Sequence, residues 1–75
     1  MSGNVQEEIG ISNLEYDLVT TLSNLLEGHE VLAEYVSDAD EAGDAEAAAI
    51  FRSIQQHNQS AAMRIRTSLG RLMSQ

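Results

Sequence analysis

Two series of apolar residues, one on each side of Gly43 and Asp44, constrain this chain more than any other feature. The first series recurs at intervals of four or three residues, with His29 filling one position, through Leu14, Leu18, Leu22, Leu25, Leu32 and Val36. The second series keeps this spacing through Ala47, Phe51, Ile54, Asn58, Ala61 and Ile65, then Ser68 or Leu69, and Leu72. Such intervals place every member on one side of an α-helix. The pattern predicts an all-α fold with two long amphipathic helices.

Capping residues mark where each helix should begin or end. Ser12 is followed three residues later by Glu15, a combination typical of a capping box. Gly43 suits the left-handed position that closes a helix, and Asp44 suits the N-cap of the next helix. Because only a tight turn fits between these two residues, the sequence predicts helices that fold back on each other.

The chain therefore divides into a short arm and one helical hairpin. Residues 1–11 include two glycines and show no periodicity, so we expect a flexible N-terminal arm there. Residues 12–75 form the hairpin, with helices at about 13–42 and about 45–73. The absence of proline supports uninterrupted helices of this length.

Composition excludes several classes of protein. A chain with no cysteine has neither disulfides nor a cysteine-based zinc site. The net charge of -8 argues against nucleic acid or an anionic membrane as a partner. The chain lacks an apolar run of the roughly 20 residues that span a bilayer, and it lacks the pattern of a signal peptide. We expect a small, acidic, cytoplasmic protein.

The charges are segregated along the chain. Every acidic residue lies at or before Glu46, whereas all the basic residues follow it, at Arg52, Arg64, Arg66 and Arg71. In an antiparallel hairpin this order places Arg71 beside Glu15 and Asp17, and we expect ion pairs there.

A lone hairpin of this size buries too little apolar surface, because each apolar stripe is wider than one seam between two helices can cover. Burial of the outer half against a second copy gives a two-fold four-helix bundle. The sequence therefore predicts a homodimer or higher oligomer with an apolar core made of Leu18, Leu22, Leu25, Leu26, Leu32, Val36, Phe51, Ile54, Ile65 and Leu69.

Two polar residues interrupt the apolar series at matching levels. His29 lies as far before Gly43 as Asn58 lies after Asp44, so the two should meet inside the seam. One interpretation is a polar layer in which the imidazole hydrogen-bonds the amide and fixes the register. The other is a metal or small-ligand site, completed by Glu30 or Gln55 where the two-fold axis brings two copies of His29 together. We expect His57 on the surface.

The runs YDLVTTLSNLLEG (16–28) and EYVSDADEAGDAEAAAIFRSIQQHNQSAA (34–62) resemble short bacterial ferritin-like helical hairpins. The shared features are a YxLV start, a Y-x-x-DA…GD-x-E turn and an FR-x-x-Q-x-x-N second helix. The resemblance implies a dimeric or duplicated four-helix bundle, and in the wider group a site for two metal ions built from a helix Glu and a Glu-x-x-His pair. Here Ile54 stands three residues before His57 where that Glu is expected, and His29 stands where a bridging Glu is expected. The resemblance therefore implies a bundle that has lost the metal site.

Two functions follow from these observations. The first is a non-enzymatic protein-interaction or scaffold module whose acidic face binds an unknown protein partner, since the sequence shows no catalytic constellation. The alternative is a ferritin-like protein that binds iron or zinc near the dimer axis through His29, Glu30 and His57.

Overall fold

The computed structural model describes Gly10 and residues 12–74. Helix α1 spans Asn13–Glu41 and helix α2 spans Ala45–Met73, 29 residues each. The two pack against each other as an antiparallel hairpin, and residues 12–74 contain no strand. The predicted all-helical hairpin is confirmed, with α1 ending one residue earlier than expected. Apart from Gly10, the arm predicted at 1–11 lies outside the described residues.

The start of α1 is fixed by the predicted capping box. The backbone N–H of Glu15 donates to Ser12 Oγ at 3.1 Å, and the backbone N–H of Ser12 donates to Glu15 Oε1 at 3.3 Å. Two of the backbone donors that a helix start leaves without an intrahelical acceptor are thereby satisfied.

Three residues, Ala42 to Asp44, connect the helices. Gly43 has φ +72°, a left-handed conformation that suits glycine. The N–H of Asp44 donates to the Ala39 carbonyl at 2.9 Å, and Asp44 Oδ1 then accepts the N–H of Ala47 at 2.9 Å. One aspartate thus closes α1 with its backbone and opens α2 with its side chain.

Contacts between the helices join residues at similar distances from this turn. The rings of Tyr35 and Phe51 lie 5.5 Å apart, centroid to centroid. The seam is most fully buried beside the turn, where Ala39 and Ala48 are 6% and 1% exposed. Small side chains at these two positions allow the helix backbones to approach each other.

The predicted ion pair at the open end of the hairpin is not found. Within residues 12–74 the ion pair between the helices joins Arg52 to Asp40, at 3.2 Å, and Arg71 pairs with neither Glu15 nor Asp17. Asp17 and Arg71 each stand next to a seam residue in the sequence and therefore point about 100° away from the seam. The prediction counted positions along the two helices and did not consider side-chain direction.

Candidate interaction surface

The seam between α1 and α2 fully buries very few side chains. Within residues 12–74 only Ala39 and Ala48 are buried, and none of the larger side chains is. Eight of the ten residues assigned from the sequence to a dimer core are half-buried: Leu18, Leu22, Leu25, Leu32, Val36, Phe51, Ile65 and Leu69. The other two, Leu26 and Ile54, are 57% and 40% exposed. Each of these side chains keeps a free side toward solvent, as required of residues that a second chain would cover.

Further large apolar side chains are exposed beyond the seam. Together with Leu26 and Ile54 they are Leu14, Tyr16, Val19, Val31, Tyr35, Ile50, Met63 and Met73. Exposed apolar residues scattered singly are ordinary, but contiguous ones mark interaction surfaces. The positions of these residues around the two helices therefore decide which face of the hairpin carries a contiguous apolar surface.

The flat hairpin has two broad faces, which we name after one residue of each. The His29 face carries a groove of about 140 Å³ lined by Leu25, Leu26, His29, Asn58, Gln59 and Ala62. On α1, Tyr35 lies nine residues after Leu26, and nine residues at about 100° each amount to two and a half turns. Tyr35 therefore lies on the opposite side of the hairpin, which we name the Tyr35 face.

The same rotation places part of α2 on the Tyr35 face. Ile50 stands nine residues before Gln59, and Ile54 is one turn beyond Ile50. Val31 lies one turn before Tyr35 on α1. These four side chains are 40–53% exposed and lie at similar distances from the turn, so they form one apolar patch across both helices.

The structure brings His29 and Asn58 to one groove, as their matching levels predicted, but it leaves the imidazole of His29 outside the seam. His29 is exposed and Asn58 is half-buried. The hydrogen bond at this level runs from Gln55 Nε2 to the backbone carbonyl of His29, at 3.5 Å, and within residues 12–74 the imidazole has no partner. An α-helix turns once in 3.6 residues rather than 3.5, so the seam passes between Gly28 and His29 and leaves the imidazole at its edge. The predicted hydrogen bond between the imidazole and the amide of Asn58 is therefore wrong for the single chain.

The residues proposed for a metal site are not gathered in one chain. No group of three His, Asp or Glu side chains arranged to hold a metal ion occurs in the described part of the chain. His57 is exposed, as expected, and it points to the Tyr35 side of Asn58, whereas His29 lines the opposite face. Glu30 points about 100° away from His29. A dimer formed through one face would therefore pair two copies of one histidine and keep the other apart.

The acidic residues of α1 form a stripe on the side away from α2. Its members are exposed and follow one another at intervals of three, four and seven residues: Glu27, Glu30, Glu34 and Glu41. On α2, Arg64, Arg66 and Arg71 are exposed and form no ion pair with any acidic residue in the range 12–74. The outer surface of α1 is thus strongly negative, and the basic groups are concentrated on the other helix.

The chain matches no known protein family, no curated protein and no solved structure. Neither α1 nor α2 has a stretch that is long and apolar enough to cross a bilayer.

Proposed function

We propose that this chain is a non-enzymatic protein-interaction or scaffold module that works as a homodimeric four-helix bundle. The observation that supports dimerisation most strongly is the burial pattern: two buried alanines and a seam of half-buried leucines within residues 12–74. Burial returns about 25 cal/mol per Å² of apolar surface, against about 1.5 kcal/mol for ordering each residue. The apolar surface of one hairpin is too small to offset that ordering, and a second copy covers its free sides.

The size of the hairpin fits this proposal. A helix of 29 residues is about 44 Å long and about 10 Å wide, so one face of two such helices measures about 900 Å². A typical stable interface buries about 800 Å² on each partner. One face of the hairpin is therefore sufficient for a specific dimer.

The acidic stripe of α1 supports the second part of the proposal. It points away from α2, so a bundle built through either face leaves much of it accessible. A stripe of one sign favours a partner protein that presents a basic segment, and it contributes to association rate and specificity more than to affinity. A relationship to ferritin-like helical hairpins, which the sequence resemblance implies, is part of this proposal.

Two measurements test this function. Sedimentation equilibrium should give twice the chain mass at micromolar concentration, and the unfolding midpoint should rise with protein concentration. Affinity capture from the native cell at low salt should recover a basic protein that is lost with the double variant Glu27→Gln, Glu34→Gln. A monomer at all concentrations would contradict the dimer, and a captured partner that is indifferent to both glutamates and to salt would contradict the acidic recognition surface.

The alternative proposal is a protein that binds iron or zinc. The observation that favours it is the imidazole of His29, which has no hydrogen-bond partner within residues 12–74 and faces the groove beside Asn58. A dimer through the His29 face would bring two such imidazoles together. Calorimetric titration of tag-free protein with Zn²⁺ and Fe²⁺ should then show stoichiometric binding that His29→Ala abolishes. Absence of binding tighter than about 10 µM, equivalent to about 7 kcal/mol, would contradict this alternative.

A further inference from the structure

We infer that the two copies associate through the Tyr35 face, with both turns at the same end of the bundle and α1 of each copy packed on α2 of the other. This inference rests on the self-association proposed above. Beyond that proposal, it specifies which face of the hairpin forms the interface, how the two copies are oriented and which residues of the two copies meet.

The two faces differ in what a second copy would have to cover. The polar contacts that join α1 and α2, Arg52 with Asp40 and Gln55 with the His29 carbonyl, both lie on the His29 side of the seam. Each side chain of the ion pair is more than half exposed, at 55% and 54%. Covering that pair would remove its hydration, and the attraction between the two charges does not reliably offset such a loss. The Tyr35 face instead offers the apolar patch of Val31, Tyr35, Ile50 and Ile54.

The orientation follows from matching levels along the hairpin. With turns together, α1 of one copy lies on α2 of the other, and residues at equal distances from the turn meet. Tyr35 then lies within about one helical turn of Ile50 and Ile54 of the second copy. Toward the open end, Asp17 meets Arg71. Apolar groups therefore meet apolar groups, and an acid meets a base.

Glycine and alanine occupy the middle of this arrangement. Gly28 on α1 and Ala61 on α2 lie on the Tyr35 side at matching levels. A Cβ atom added to Gly28 would meet nothing within 4 Å in the single chain, so the space above the glycine is open. A helix of a second copy approaches more closely over two small residues than over large ones.

The reverse orientation pairs the charges badly. With the turn of one copy over the open end of the other, α1 lies on α1 and α2 on α2. Asp17 then lies near Asp38 of the second copy, and Arg64 lies near Ile54. Like charges facing each other disfavour an interface, and so does a guanidinium placed over an apolar patch. Charge therefore selects the arrangement with both turns together.

The open half of the Tyr35 face is concave. A groove of about 300 Å³ there is lined by Leu18, Ala61, Arg64, Ile65 and Ser68. In the arrangement with turns together, the segment of α1 around Thr21 from the second copy lies over this groove. The small side chains of Ala61 and Ser68 in this groove leave room for that segment.

Two matched substitutions test the choice of face. Ile54→Glu puts a charge into the proposed interface, whereas Leu26→Glu puts the same charge on the His29 face, and both side chains are exposed in the single chain. Sedimentation equilibrium should show that Ile54→Glu weakens the dimer by about 100-fold or more, while Leu26→Glu remains within about threefold of wild type. The opposite result, or equal loss in both variants, would overturn the assignment of the face and leave the proposed dimer standing. A monomeric wild-type chain would overturn the dimer itself.

A distance measurement tests the orientation. The chain has no cysteine, so Glu41→Cys gives one site for a spin label beside the turn of each copy. With turns together, the two labels should be about 30 Å apart or less, because packed helix axes lie about 8–10 Å apart. With turns at opposite ends, the helix length places the labels more than about 40 Å apart. A long distance would overturn the proposed orientation.

A charge exchange checks the register without disturbing the apolar patch. Arg71→Asp should weaken the dimer by about tenfold, since it replaces two attractive pairs with repulsion, and adding Asp17→Arg should restore most of that loss. Circular dichroism at high concentration should show equal helix content in all three proteins. Failure of the double variant to recover would contradict the meeting of these two residues.

Discussion

The two ends of the hairpin are held in different ways. Beside the turn, Ala39 and Ala48 are buried, Tyr35 contacts Phe51, and Asp40 pairs with Arg52. At the open end no side chain is fully buried among the described residues, and Leu14, Tyr16 and Met73 are 54%, 50% and 72% exposed. The buried residues and the ion pair of the described chain therefore lie near the turn, and we expect the open end to contribute less to the stability of a single chain. The following substitutions test this contrast, from the largest expected effect to the smallest.

Equivalent leucine truncations at the two ends should give different results when the chain is dilute. Leu32→Ala, near the turn, should lower the free energy of unfolding by about 2–3 kcal/mol. Leu18→Ala should lower it by only about 1 kcal/mol at low concentration, because the open end of a single chain frays, and by about as much as Leu32→Ala once the dimer forms. Urea unfolding at two protein concentrations measures both. Equal effects at every concentration would contradict the contrast between the ends.

Ala48 should not tolerate a larger side chain. Because Ala48 is 1% exposed within the seam, Ala48→Leu should destabilise the hairpin by about 2 kcal/mol through overpacking. The neighbouring Ala49 is exposed, so Ala49→Leu provides the control and should change stability by less than about 0.5 kcal/mol. Chemical denaturation of the two variants measures the difference. Similar stabilities of the two variants would show that the seam near the turn has room for a leucine side chain.

Two glycines, one at each end, should respond to alanine with opposite signs. Gly43 has φ +72°, so Gly43→Ala forces an unfavourable backbone and should cost about 1 kcal/mol. Gly70 lies within α2 with open space around it, so Gly70→Ala should stabilise the chain by about 0.5–1 kcal/mol through helix propensity. Thermal unfolding should show a lower midpoint for the first variant and a higher one for the second. A loss at Gly70 would indicate that another chain approaches α2 there.

The ion pair near the turn should contribute least. Both side chains are more than half exposed, so a double-mutant cycle with Asp40→Asn and Arg52→Gln should give a coupling of about 0.2–1 kcal/mol. The coupling should weaken as salt is raised toward 1 M. A coupling that resisted salt would mean that the His29 face is covered, and it would count against the Tyr35 face as the interface.

The sequence predicted the parts of this fold that local chemistry determines. Ser12 and Glu15 mark one helix start, and Gly43 with Asp44 marks the turn, because each side chain satisfies backbone groups within a few residues of itself. Matching levels also placed His29 near Asn58 correctly. The exposure of the imidazole was missed, because counting in heptads cannot show which side of the seam a helix has rotated toward.

Side-chain direction also explains why the predicted ion pair at the open end is not found. Asp17 and Arg71 both point away from the seam, and the sequence pattern alone does not give the rotation of each helix. For the same reason the sequence did not distinguish the two faces. It assigned Leu26 to the dimer core, whereas the interface that we propose leaves Leu26 outside and uses Tyr35 and Ile54.

A connection of only three residues places Ser12 and Ser74 at the same pole of a narrow rod. Anything attached at either point, such as an affinity tag, a fluorophore or a fused domain, therefore lies at that pole. The opposite pole, which carries the turn, stays unobstructed. If both turns share an end, as we propose, a bundle with four attachments would carry them all on one side. Immobilised through that side, it would display a uniformly oriented layer on a sensor surface.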